Sequence, residues 1–240
     1  MIKLINVSKI FNGKAALKNI NLEIYDGETL SIIGGSGSGK STLLRLMIGL
    51  IHPTDGEIWI GNDEISHMEE KELAKVRLRM GMVFQYSALF DSMTVGDNVA
   101  FGLVEHTDFP QDKINYIVKE KLKQVGLEGV EKLMPNELSG GMKKRVSLAR
   151  ALAIEPEIIF YDEPSSGLDP ITTAKIDDLI ISTQKNLGVT SIVVTHDMTS
   201  ACRISNRIAM VYQGDLIAVD TVERFKNLPD IRIKEFFRQI

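Results

Sequence analysis

The 240-residue chain is 44% hydrophobic and 25% charged, enough apolar material for one large core with a lobe grafted onto it. A net charge of −4 argues against a dedicated DNA or RNA binder, and the single cysteine, Cys202, excludes an intrachain disulfide. No apolar run reaches the ~18 residues of a membrane span and MIKLINVSK lacks a signal-peptide core, so the chain is expected to be soluble and to meet a membrane only through a partner.

Residues 2–33 read as strands. INLEI (Ile20 to Ile24) alternates apolar and polar positions and ends at the turn pair Asp26-Gly27. TLSII runs straight into GGSGSGKST (Gly34 to Thr42), and STLLRLMIGL follows with helical spacing. GEIWIG (Gly56 to Gly61) and MGMVFQ (Met80 to Gln85) are two further short strands. Between them, Ser66 with Glu69 matches a capping box for a helix over EEKELAKVRLRM.

From about residue 86 to 157 the pattern is helical. Ile114, Ile117, Val118, Leu122 and Val125 share one helix face, and Met142, Val146, Ala149 and Ala153 share another. EIIFYDE and SIVVTHD are apolar through consecutive positions, as strands of a parallel sheet buried on both faces are. RIAMVYQGDLIAVD reads as a hairpin turning near Gln213 to Asp215. The closing stretch sets Ile233, Phe236, Phe237 and Ile240 on one helical face, for docking on its own domain or on another subunit. The chain is therefore read as a single domain, 1–240. Its core is 1–85 and 158–240, its helical lobe 86–157, and its C-terminal amphipathic segment 227–240.

Gly34, Gly35, Ser36, Gly37, Ser38, Gly39, Lys40 and Ser41 fit the P-loop pattern at every specified position, between a strand and a helix. Glycines let backbone N–H groups converge on one anion, and the helix that follows presents its positive end to the same charge. Lys40 would pair with the β- and γ-phosphates, with Thr42 closing the stretch, and the Ser41 hydroxyl would bind Mg²⁺. Asp162, carried to the end of an apolar strand, is the natural Mg²⁺ holder, directly or through a bound water, and Glu163 is placed to orient and deprotonate a water. His196 and Gln85 end two other strands, where ligands of open α/β sheets sit. His196 suits a γ-phosphate contact, and Gln85 an amide to Mg²⁺ or the water. Ser139, Gly140 and Gly141 form a second anion-facing loop ahead of a helix. Its two readings are a plain helix N-cap and a contact to a triphosphate held elsewhere, a neighbouring copy included.

Together these motifs resemble the ATP-binding subunits of ABC transporters over nearly the whole chain. GGSGSGKST matches Walker A, Gln85 the Q-loop, LSGGM the signature, IIFYDE Walker B, SGLD (Ser166 to Asp169) the D-loop and His196 the switch histidine. The resemblance implies an α/β fold: a P-loop NTPase core with an antiparallel β subdomain and an inserted helical lobe. It also implies ATP and Mg²⁺ as cofactors, Phe11 stacking on adenine, and a head-to-tail homodimer. In that dimer Ser139 to Gly141 and Asp169 help complete the partner's site. Met142 stands where the family more often has glutamine.

FQYSALFDSMTVGDNVAFGLVEHT, ELSGGMKKRVSLARALA and YDEPSSGLDPIT are similar to the ATPase of maintenance-of-lipid-asymmetry, Mce-type phospholipid transport systems, whose pattern includes Met142 to Arg145. That likeness implies an integral-membrane permease, a lipid-binding Mce subunit, in some systems a small regulatory subunit, and a peripheral place on the cytoplasmic face of the inner membrane. Transport of another small solute and a cell-division role use the same engine. Lys143 to Arg145 then read as a solvated helix face, not a nucleic-acid patch. Tyr86, Ala88, Leu89 and Phe90 fall where the permease contact is expected, with core packing as the alternative for Leu89 and Phe90.

Overall fold

The computed structural model describes residues 1–237; Ile240, assigned above to the apolar face of the last helix, lies outside them. Strands β1 (Ile2–Phe11) and β2 (Lys14–Ile24) pair antiparallel across a turn at Asn12-Gly13, both with positive φ. That is the two-residue turn whose twist matches a hairpin. Strand β3 (Thr29–Ile33), buried throughout, leads through the glycine loop into helix α1 (Lys40–Met47). Strands β4 (Asp55–Ile60) and β5 (Asp63–Glu64) complete a four-stranded antiparallel sheet ordered β2-β1-β4-β5.

After helix α2 (Glu70–Arg77) and strand β6 (Met80–Val83) come the lobe helices α3 (Val95–His106), α4 (Gln111–Gln124) and α5 (Gly140–Ala153). The core resumes with β7 (Ile158–Asp162), α6 (Pro170–Leu187), β8 (Thr190–Val194), α7 (Met198–Ile204), β9 (Arg207–Tyr212), β10 (Asp215–Thr221), α8 (Val222–Lys226) and α9 (Ile231–Phe237). The second sheet is ordered β10-β9-β3-β8-β7-β6, parallel except for the β10 edge, and β9 and β10 turn at Gln213-Gly214 as expected.

The apolar strands are buried on both faces for a visible reason. Ile158 and Phe160 of β7 pack with α1 and the antiparallel sheet, whereas Ile159 and Tyr161 pack under the helical lobe. Successive side chains of a strand point to opposite faces, so a strand between two cores needs apolar residues at every position.

Two local expectations fail. The Ser66–Glu69 capping box is absent: the Ser66 hydroxyl accepts from the Ile58 N–H at 2.7 Å, and α2 begins after Glu69 with no side-chain cap. Pairing with β4 captured the hydroxyl first. Strand β6 stops at Val83, so Gln85 sits two residues beyond the strand, in a loop. A capping box that does form joins Thr94 and Asp97 at the start of α3.

Helix α9 docks on its own domain through buried Ile233, with Phe236 and Phe237 packed against the cluster that holds Phe225. The Phe225 and Phe237 ring centroids lie 6.3 Å apart. Ile233→Ala is expected to destabilise the chain by about 2 kcal/mol or more, the usual cost of emptying a buried site. Urea unfolding checks this; an unchanged midpoint would mean that α9 contributes nothing to the folded domain.

Candidate active site at the carboxyl edge of the parallel sheet

Strands β6, β7, β8 and β3 are neighbours and point the same way, so the chain segments leaving them meet on one edge. The P-loop leaves β3, Gln85 follows β6, Asp162 and Glu163 end β7, and His196 follows β8. The topology thus collects groups that lie far apart in sequence, at the edge where open α/β sheets bind ligands.

Within the P-loop Gly34 and Gly39 are sterically required. A Cβ on Gly34, at φ 151°, would lie 2.1 Å from the Val211 carbonyl, and one on Gly39, at φ 115°, 2.7 Å from a Leu17 methyl. Gly35 is half-buried, and Ser36 and Gly37 are exposed. The buried Ser38 hydroxyl has no hydrogen-bond partner, a free polar atom inside a loop built for anions. Lys40 donates from Nζ to the Gly34 and Gly35 carbonyls at 2.7 and 3.0 Å. Burial lowers its pKa, while nearby Glu163 and Asp162 oppose the shift. Ser41 is exposed and Thr42 half-buried at the start of α1. Phe11, 45% exposed, and Gly37 line one cavity of about 840 Å³ with Lys14, Lys18 and Gln213.

Glu163 carries the strain of the site. Its φ is +49°, in the left-handed region, which costs a non-glycine residue about 1–3 kcal/mol. Its N–H bonds the Val194 carbonyl at 2.8 Å, and its carboxylate meets His196 Nδ1 at 2.8 Å. The acid and the imidazole predicted from separate strands are therefore in direct contact. Asp162 has its pKa raised by burial and then by the neighbouring Glu163 charge, with Arg45, Lys40 and Lys144 pulling the other way. The Gln85 amide donates to the Ser166 hydroxyl at 3.3 Å, which ties the Q-loop to the segment after β7.

Among the described residues no three His, Cys, Asp or Glu side chains converge into a metal cage. Ser41, Asp162 and Gln85 instead offer single oxygens, the sparse donor set from which Mg²⁺ is held together with a nucleotide's phosphates.

The second loop lies apart. Ser139 caps α5, accepting from the Met142 N–H at 3.3 Å, and Ser139 and Gly140 are exposed. Gly141 is buried instead: a Cβ there would lie 2.6 Å from a Thr172 methyl, so its lack of a side chain lets α5 approach α6. No hydrogen bond among the described residues links this loop to Gly34–Thr42. Asp169 caps α6, accepting from the Ile171 and Thr172 N–H groups at 3.0 Å and from the Thr172 hydroxyl at 2.6 Å. The Thr172 bonds hold its pKa down.

Lys143 to Arg145 do not form a solvated face. Lys144 is only 5% exposed, and its Nζ donates to the Gln85 carbonyl and, at 3.3 Å, to that of Glu163. Arg145 bonds the Gly126 carbonyl at 2.9 Å beyond α4, and Lys143 is half-buried. The signal was present in the mostly small and apolar run from Val146 to Ala153, interrupted only by Arg150, which marks a helix buried over most of its surface. The segment after Gln85 also divides. Ala88, Phe90 and Phe84 line an apolar groove of about 590 Å³ between core and lobe. Leu89 packs into the lobe, and Tyr86, 87% exposed, points away from both.

A glycine loop between strand and helix, with acids at the end of a nearby parallel strand, defines a P-loop nucleotide-binding protein. The family described as ABC transporter matches residues 17–166. MlaF, the ATP-binding protein of the intermembrane phospholipid transport system of Haemophilus influenzae, is 43% identical over 220 residues, 92% of this chain and 83% of that one. The methionine import ATP-binding protein MetN of Carboxydothermus hydrogenoformans is also 43% identical over 220 residues, 90% of this chain but 65% of that one. A solved dimeric structure of the ATP-binding cassette MJ0796, in a post-hydrolysis state bound to ADP and Pi, matches with TM-score 0.86 and 37% identity, over 92% of this chain and 99% of that one. The chain belongs to the ABC transporter family, with the mixed α/β ABC ATPase fold, and it is an ATP hydrolase. No helix among the described residues is long and apolar enough to cross a membrane.

The raised pKa of Asp162 has a stability consequence. An acid whose folded pKa exceeds its unfolded value binds more protons when folded. Stability therefore falls as pH rises from the ordinary carboxylate range through the raised pKa. Asp162→Asn removes that decline and is expected to melt higher than the wild type at about pH 8, with the gap narrowing towards about pH 5. Thermal melts of the nucleotide-free protein across that range check it; an equal or lower melting temperature at the alkaline end contradicts the assignment.

Proposed function

We propose that the chain is the ATPase of a phospholipid transporter, working as a homodimer beneath an integral-membrane permease. The observation that carries the lipid reading is the 43% identity to MlaF over 92% of the chain. MetN reaches the same identity, but this chain spans 65% of MetN's length against 83% of MlaF's. The Met142 to Arg145 pattern, shared with the Mce-type subgroup, supports the lipid side. A lipid-binding Mce subunit and a small regulatory subunit complete the assembly, which lies peripherally on the cytoplasmic face of the inner membrane.

In this reading the P-loop N–H groups and Lys40 hold the β- and γ-phosphates, and Phe11 packs against the adenine. Ser41, Asp162 and Gln85 hold Mg²⁺, which neutralises phosphate charge when bound. Glu163 accepts the proton of the attacking water, held in place by its strained backbone and by the 2.8 Å contact with His196. His196 is thereby fixed at the γ-phosphate end of the site. Ser139, Gly140 and the N–H groups opening α5 meet the partner's triphosphate, and Asp169 lies at the same seam. The exposure of Ser139 and Gly140, and their lack of hydrogen bonds to the chain's own P-loop, support that assignment. The groove at Phe84, Ala88 and Phe90 receives the permease.

Lys40→Ala is expected to lose tight ATP binding. Glu163→Gln should bind ATP, hydrolyse it at least ~100-fold more slowly and accumulate closed dimers. Size-exclusion chromatography with ATP, beside a phosphate-release assay, reads both; normal turnover by Glu163→Gln removes it as the base.

Mixing Ser139→Arg and Lys40→Ala subunits tests the shared seam. Composite sites put both lesions in one site and leave the other whole, so each mixed dimer regains about half the activity of a wild-type dimer. Sites confined to single chains leave it inactive. The purified complex is expected to move phospholipid between vesicles with ATP; methionine uptake without lipid transfer would favour the importer reading.

A further inference from the structure

Helix α5 does more than present the signature loop. Two of its cations turn back onto the chain's own catalytic edge. Lys144, one turn into the helix, donates to the carbonyls of Gln85 and Glu163. Arg150, further along, donates to the carbonyls of Ser87 and Ala88 at 3.0 and 2.7 Å. These bonds fall on or beside residues in strained backbone. Glu163, Ser87 and Ala88 have φ of +49°, +62° and +45°, and none is glycine. Such conformations persist only where surrounding contacts over-determine them.

We propose that Lys144 is a positioning residue for ATP hydrolysis, holding the Q-loop and the Glu163 main chain in register from the first turns of the signature helix. The proposal rests on Glu163 acting as the base. Lys144 works through that residue's backbone and not on the nucleotide, because both of its bonds end on protein carbonyls. An ammonium group suits the task, since its three donors can serve two carbonyls at once. The consequence is mechanical. The same rigid helix carries Ser139 and Gly140 at its start, Lys144 on the acid and Q-loop, and Arg150 on the segment lining the apolar groove. Movement of the lobe therefore reaches the acid of the chain's own site through Lys144.

Steady-state ATPase kinetics on the full chain, copurified with its membrane subunits, test the proposal. Lys144→Met is expected to lower kcat by about 10- to 100-fold, the scale on which small misplacements act. KM and fluorescent-nucleotide affinity should stay within about twofold, and Lys144→Arg should regain most of the rate. An unchanged kcat in Lys144→Met overturns the proposal. So does a joint loss of kcat, affinity and melting temperature that Lys144→Arg does not repair, which would mark a packing role. Should Lys144→Met yield no folded protein, Lys144→Gln takes its place under the same criteria. Glu163→Gln, measured alongside, separates the two levels. Its normal turnover would sink the base assignment itself. Its inactivity beside a normal Lys144→Met would sink the positioning role alone.

Discussion

Parallel strand pairing is the constraint on which the rest of this molecule depends. Five strands run the same way through the centre of the domain, so every segment that leaves them emerges on one edge. Parallel sheets persist where both faces are covered. Here α1 and the antiparallel sheet cover one face and the helical lobe the other. The site is therefore a consequence of the core: Gly34, Gln85, Glu163 and His196 meet because β3, β6, β7 and β8 are packed side by side.

The chemistry of that edge is one of charges held against their preference. Lys40 and Lys144 are buried cations with lowered pKa values, and Asp162 is a part-buried acid with a raised one. Each is tolerated because the others are near, so the cluster is balanced as a group. Strain is distributed in the same way. Glu163 occupies a left-handed conformation, secured by its N–H to Val194, its carbonyl to Lys144 and its carboxylate to His196. If Glu163 is the base, as proposed, an ATP hydrolase gains from this arrangement, because a group fixed before the substrate arrives need not be organised during the reaction.

The helical lobe joins this edge to surfaces that face outward. Helix α5 begins at the exposed Ser139-Gly140, crosses beneath the Q-loop and ends beside the apolar groove. Gly141 allows it to lie close against α6, whose own start is capped by Asp169. One helix thus touches the loop assigned to the partner's triphosphate, the acid of its own site and the groove assigned to the permease. Because Val146 to Ala149 and Ala151 to Ala153 of α5 are buried, the helix is held by its packing along most of its length.

By itself the sequence determined the elements and the phosphate loop. The Gly34 to Ser41 spacing, the apolar runs before Asp162 and His196, and the helical periodicities of the lobe are local patterns, and local geometry follows from neighbours along the chain. Tertiary structure decided where side chains aim when several partners compete. Ser66 fits a capping box in sequence, yet its hydroxyl went to Ile58 of β4. Lys144 reads as a surface lysine, yet it lies on a buried face of α5 where its ammonium meets the carbonyls of Gln85 and Glu163. Gly141 reads as a phosphate glycine, yet its missing side chain makes room for Thr172. Each of these outcomes depends on a residue distant in sequence, brought near only by the packing of the sheet between its two cores.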